Sequence, residues 1–162
     1  MKNKSAMKET NPIKRSKAFV PFSRDHHFGL LLAWKIRQDL QNKVAAEYIN
    51  NYVLTFFDTD LRKHFKEEEE LILSKLSYKD ALRKQAEMEH QKIYHIIDSL
   101  REKKTDTALL TEFARALQNH IRFEERNLFN YMQEKLTDQE LDEVSLHVKQ
   151  NNISKQHTLF VR

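Results

Sequence analysis

Two stretches of the chain, HFKEEEE at residues 64–70 and HIRFEE at 120–125, each place a histidine four residues before a glutamate. On a helix, positions i and i+4 lie on one face, one turn apart. His64 with Glu68, and His120 with Glu124, would each present an imidazole and a carboxylate side by side. Nitrogen and oxygen donors of this kind suit iron, manganese or zinc. The chain has no cysteine, so disulfides and thiolate metal sites are excluded. One His-x-x-x-Glu pair is weak grounds for a metal site. Two pairs become specific only if other helices bring further donors to the same place.

The surrounding pattern supplies those helices. The sole glycine is Gly29, and the two prolines, Pro12 and Pro21, lie near the start. No proline interrupts the chain from Phe22 onward, so long helices are the default. Ser23 is the expected N-cap of a first helix running to about Gln41, with Asp25 in its first turn. The second is expected over about Val44 to Leu76. The third, opened by Ser77 and Asp80, runs to about Lys103, and the fourth, opened by Thr105 and Asp106, to about Leu136. Thr137-Asp138-Gln139-Glu140 is a capping-box pattern that begins a shorter fifth helix, to about Val148. Long helices joined by short turns make antiparallel neighbours. The expected fold is all-α: an up-down-up-down antiparallel four-helix bundle with a short C-terminal fifth helix. Its expected extent is residues 21–150, between a basic, disordered tail at 1–20 and a C-terminal tail at 151–162.

Each of the four long helices carries a histidine in its apolar stripe. The stripes are Phe22, His26, Leu30, Ala33, Leu40; then Leu54, Phe57, Leu61, His64, Glu68 and Leu71 or Ile72. The third is Leu82, Ala86, His90, Ile93, Ile97, Leu100, and the fourth Leu110, Phe113, Leu117, His120, Glu124, Leu128, Tyr131. Distance from a shared turn fixes height, since a helix rises about 1.5 Å per residue. Ser77 stands midway between His64 and His90, and Thr105 midway between His90 and His120. Lys43, at the first turn, is nearer to His26 than to His64, so that pair fits more loosely. Four imidazoles and two carboxylates at one level would be costly to bury without countercharge. They are too many for one tetrahedral zinc. They suit two ions bridged by Glu68 and Glu124, with positions left for an oxo or hydroxo bridge and a small ligand.

The neighbours read differently. Periodicity favours His26 over His27, whose stripe turns polar at Gln38 and Gln41. Glu69 and Glu70 read as solvated, Glu67 as a candidate beside the site, His95 as surface, and His147 and His157 as lying outside the four-helix core. Tyr94 is either a hydrogen-bond donor near the open positions or a packed tyrosine. Glu87-x-x-His90 matches half of a ferritin-like site, but no second Glu-x-x-His exists. No H-E-x-x-H, P-loop or G-x-S-x-G motif occurs.

Taken together, DHH at 25–27, HFKEE at 64–68, MEH at 88–90 and HIRFEE at 120–125 resemble the hemerythrin family, in its bacterial HHE cation-binding branch, over about residues 20–136. The resemblance implies a non-heme diiron centre with His26, His64, Glu68, His90, His120 and Glu124 as ligands to two iron ions. Members of that family bind dioxygen reversibly, sense oxygen or iron, or respond to nitric oxide by supplying iron to damaged iron–sulfur centres. Oxygen carriers have a second histidine one turn after the third helix's ligand; here Tyr94 stands there, as in the four-histidine, repair-like members. The stretch ahead of Pro21 is too short to form the N-terminal domain of many repair proteins. The expectation is a diiron protein that binds or senses dioxygen or nitric oxide, or handles iron. The alternatives are an enzyme consuming peroxide or nitric oxide, or an iron donor for iron–sulfur repair.

Charge and hydropathy set the remaining expectations. The formal net charge of +4 is confined to the start: residues 1–17 hold six Lys or Arg against one Glu, leaving 22 basic and 23 acidic side chains beyond. The folded part offers no phosphate-binding stripe, so nucleic acid is not expected as a partner. No signal peptide or bilayer-length apolar run is visible, which points to a cytoplasmic protein without membrane contact. Oligomeric state stays open.

Overall fold

The computed structural model describes residues 14–151, and among them every regular element is helical. Helix α1 is Val20–Gln41. It starts earlier than expected, and Ser23 is not its cap. Proline's fixed φ and missing N–H suit a first helical turn, so the helix begins ahead of Pro21 and the Ser23 N–H already bonds Phe19 O at 2.9 Å. At its other end Lys43 takes a φ of 59°, the left-handed turn that closes many helices.

Helix α2 spans 46–75. It is α-helical over Ala46–Phe56 and Arg62–Glu67, makes π turns over Phe57–Leu61 and Glu68–Ile72, and tightens to a 3₁₀ turn at Leu73–Lys75. Helix α3 is Ala81–Glu102; Asp80 caps it, its side chain accepting from the N–H groups of Leu82 and Arg83 at 2.9 and 3.2 Å. Helix α4 spans 107–135, α-helical over Thr107–Phe123 and Phe129–Lys135 around a π turn at Glu124–Leu128, with Asp106 as cap. Helix α5 is Asp138–Asn151, and its capping box forms as expected: Thr137 N donates to Glu140 Oε1, and Glu140 N to Thr137 Oγ1.

The apolar core falls into two clusters. One gathers Leu32, Ile36, Ile49, Val53, Phe57, Phe65, Ile93, Ile97, Phe113 and Leu117 among others. The second gathers Phe19, Phe22, Ile72, Ala86, Leu128, Phe129 and Met132, with Val144 and Val148 of α5. Helix α5 therefore covers one end of the assembly, where Lys75 Nζ also meets Glu143 Oε2 at 2.7 Å. Burying each large apolar side chain contributes about 1.5–3 kcal/mol, and these two clusters hold the layer between them in place.

Three details differ from the sequence reading, two of them in the stripes. On α1 the inward face passes through buried Gly29, and Leu30 is 37 % exposed. Here α1 lies so close to α4 that a Cβ on Gly29 would sit 2.7 Å from Ile121 Cδ1. On α4 the π turn inserts a residue, so that Met132 is buried where Tyr131 was expected. Residues 14–19, assigned to the tail, are docked: Phe19 is fully buried and stacks on Phe129 at 5.0 Å between ring centres. Residues 1–13 of that tail, and residues 152–162 with His157, lie outside the described residues.

Candidate metal centre

On each of the four long helices the site residues occupy the boundary between the two core clusters. His26 follows Phe22 and precedes Leu32; His64 and Glu68 lie between Leu61 and Ile72; His90 lies between Ala86 and Ile93; His120 and Glu124 lie between Leu117 and Leu128. All six are buried, none more than 3 % exposed. His27 is exposed, as are His95 and His147.

The six residues form two overlapping groups of four. His26, His64, Glu68 and Glu124 make one; Glu68, His90, His120 and Glu124 make the other; within each, one donor atom per residue lies within 4.8 Å of all the rest. Both glutamates are shared. Glu68 Oε1 is 2.7 Å from His64 Nε2 and 3.6 Å from His90 Nε2. Glu124 Oε1 is 2.7 Å from His120 Nε2 and 3.3 Å from His26 Nε2. Each carboxylate thus touches one imidazole of each group.

These contacts do not satisfy the atoms that make them. The four Nε2 atoms and all four oxygens of Glu68 and Glu124 are buried without a hydrogen-bond partner. Even the closest His–Glu pairs are within reach but misdirected, because side chains one turn apart on a helix run alongside each other. Eight orphaned polar atoms in a sealed layer would each cost about 1–3 kcal/mol. Convergent, unpartnered nitrogen and oxygen donors are what a pair of cations requires, so the residues fit the group.

The outer nitrogens are fully engaged. His64 Nδ1 is 3.0 Å from Asp25 Oδ2, and His90 Nδ1 is 2.9 Å from Glu69 Oε1. His120 Nδ1 is 2.8 Å from Glu89 Oε1, and His26 Nδ1 is 2.8 Å from Glu125 Oε1. A carboxylate at Nδ1 keeps the proton there in the neutral ring, turning the Nε2 lone pair inward and raising its basicity. The pattern closes on itself. α1 supplies Asp25 to α2, α2 supplies Glu69 to α3, α3 supplies Glu89 to α4, and α4 supplies Glu125 to α1. Each of these acids directly adjoins a site residue in sequence. A step of one residue turns about 100° around a helix, from the interior to the neighbouring helix.

The sequence reading missed these four residues as a set and took Glu69 for a solvated side chain. Glu69 keeps 38 % of its side chain in water while its Oε1 anchors His90. The available signal was an acid beside every site residue pair: Asp25-His26, Glu68-Glu69, Glu89-His90 and Glu124-Glu125. Tyr94 is half-buried, and its ring packs edge-on against Phe57 and Phe65 at 5.7 and 5.8 Å. Burial and then the charge of Glu69 push its phenol up. Glu67 is buried on α2.

Electrostatics follow from this arrangement. Burial disfavours the charged form of each ring, and the carboxylates outweigh it. Glu124 and Glu125 hold His26 up at about 9. Glu68 and Asp25 hold His64 at about 10, and Glu124 and Glu89 hold His120 at about 9. His90 is raised by Glu68 and Glu69. Burial opposes the charge of Glu124 as well, but His120 and His26 keep its carboxyl well below the usual range. In the metal-free protein, protons take the place that cations would fill.

The family model described as the hemerythrin HHE cation-binding domain matches residues 30–132. It spans more than half of the chain and contains His64, Glu68, His90, His120 and Glu124; His26 lies just before it. No curated protein and no solved structure gives a match. No helix among the described residues is long and apolar enough to cross a membrane. The buried imidazoles and carboxylates form two groups that could hold a metal ion, and the chain belongs to the hemerythrin family of HHE cation-binding domains.

Proposed function

We propose that the protein is a non-heme diiron protein that binds or senses a small diatomic ligand, dioxygen or nitric oxide. His26 and His64 would hold one ion, His90 and His120 the other, and Glu68 and Glu124 would bridge both. The observation that carries this reading is the sharing of both glutamates by two four-residue groups. Two iron ions with an oxo or hydroxo bridge would supply redox chemistry and open coordination positions for such a ligand. The chain's own contribution is to fix the four imidazoles by their outer carboxylates, to hold Glu124 ionised, and to keep bulk water out with Phe22, Phe65 and Phe129 packed against the rings.

The reading includes the bundle's topology. Along α1 and α3 the chain passes from the second core cluster to the first, and along α2 and α4 from the first to the second. That alternation supports an up-down-up-down arrangement in which all four histidines fall at one height. The absence of cysteine and of a membrane-crossing helix among the described residues fits a cytoplasmic site of action.

Elemental analysis of protein purified from iron-replete cells tests the proposal. Two irons per chain are expected, with stoichiometry lost in His64→Ala. Exposing the reduced, iron-loaded protein to dioxygen or nitric oxide should change its visible absorption. A wild-type protein that carries no stoichiometric metal, or whose reduced iron form responds to neither gas, would refute it.

A further inference from the structure

Each of the four imidazoles rests on an outer carboxylate from a helix, but at His26 that carboxylate is itself gripped from outside the helices. Arg15, just ahead of α1, reaches across to α4. Its guanidinium donates to Glu125 Oε2 at 3.1 Å and to the Glu125 main-chain oxygen at 2.9 Å. It also donates to Asn130 Oδ1 and Gln133 Oε1, both at 3.1 Å. Gln133 holds the same segment in place, accepting from Ser16 N and donating to Lys14 O, both at 3.0 Å. Glu125 in turn engages His26 Nδ1 through its other oxygen.

A second route leads to the same ring. The Arg15 guanidinium lies over Phe129, 5.4 Å from the ring centre, and Phe19 stacks on Phe129. Phe129 then stacks on His26 with centres 5.4 Å apart and planes 8° from parallel. The position and polarisation of His26 are therefore set from two sides by residues that precede α1. By contrast, His120 has its outer carboxylate, Glu89, met by the neutral amide of Gln85 on the same helix at 3.0 Å.

We propose that the segment 14–19 belongs to the metal centre: Arg15 is a positioning residue that fixes Glu125, and through it His26, so that the His26/His64 ion position depends on the docking of this segment while the His90/His120 position does not. The proposal rests on the metal-binding reading above. Its physical content is an inequality between the two positions. A cation on the outer acid draws charge from the carboxylate–imidazole pair while locking its geometry, and such outer partners typically change metal affinity about 10–100-fold.

The test uses full-length, metal-free protein titrated with Co²⁺, followed by ligand-field absorption and by competition with a chelator. Wild type takes up two equivalents. Arg15→Ala weakens one step about 10-fold and leaves the other, with its spectrum, unchanged. Arg15→Lys, which keeps the charge without the planar fork, recovers part of the loss; it also carries the test if Arg15→Ala does not fold. Glu125→Gln weakens the same step, and Arg15→Ala added to it costs clearly less than it does alone. Glu89→Gln weakens the other step. Equal weakening of both steps in the Arg15 variants, or additive losses in the double variant, overturns the proposal. If wild type takes up fewer than two Co²⁺, the metal-binding reading falls and this proposal with it. Two steps that are both insensitive to Arg15 overturn the proposal alone.

Discussion

Cation uptake should expel protons in a number that the geometry sets. Six carboxylates surround the four buried imidazoles: Glu68 and Glu124 inside, and Asp25, Glu69, Glu89 and Glu125 outside. In the metal-free protein these acids hold His26, His64 and His120 at about 9, 10 and 9, and raise His90 as well. Each of the first three is therefore protonated by about 100:1 or more at neutral pH. An imidazole must lose that proton at Nε2 before it can ligate. Two divalent ions bring enough positive charge to replace the protons they displace. Uptake of two ions at about pH 7 should thus release about three protons from His26, His64 and His120, and any that the raised His90 holds in addition. The overall two-ion constant should fall at least about 10³-fold, roughly 4 kcal/mol, for each pH unit lost below that point. Calorimetric titration with Zn²⁺ in two buffers of different ionisation enthalpy counts the protons directly. Release of fewer than about one proton, or an affinity flat across neutrality, would refute the charge accounting and the placement of the four rings in one layer.

The same groups set how stability varies with pH. The raised histidines stabilise the metal-free fold fully below their unfolded value near 6.5, and that contribution is lost as pH rises through about 9 to 10. Thermal melts of metal-free protein should fall over that range, while metal-loaded protein moves the opposite way between acid and neutral pH. Glu68 belongs to both groups and His90 to one, so Glu68→Ala should abolish binding of both ions whereas His90→Ala keeps a single weaker one, read by metal-to-protein ratio. Lys43 is the one non-glycine residue with positive φ among the described residues. Lys43→Gly should raise stability by about 1 kcal/mol, measured by urea unfolding.

The sequence by itself determined which residues could meet. Apolar spacing of three and four residues, together with the absence of glycine and proline beyond Gly29, dictated four long helices. Equal distances from the turns placed His64, His90 and His120 at one height, and the two His-x-x-x-Glu pairs marked their own face. These signals are local, because helical periodicity is a property of neighbouring residues. Tertiary contact decided the rest. Whether α1 turned Gly29 or Leu30 inward depended on how closely it could approach Ile121 of α4. The π turns that begin at Glu68 and Glu124 shifted the stripes beyond them, and periodicity carries no mark of an inserted residue. Glu69 read as a solvated acid in the sequence and Asp25 as a first-turn acid of α1, while Glu89 and Glu125 carried no role. Each became a support for an imidazole only when the next helix arrived beside it, since a side chain turned about 100° from the core finds its partner on another element. Arg15 is the furthest such case: 110 residues separate it from Glu125, and only the folded chain brings the two together.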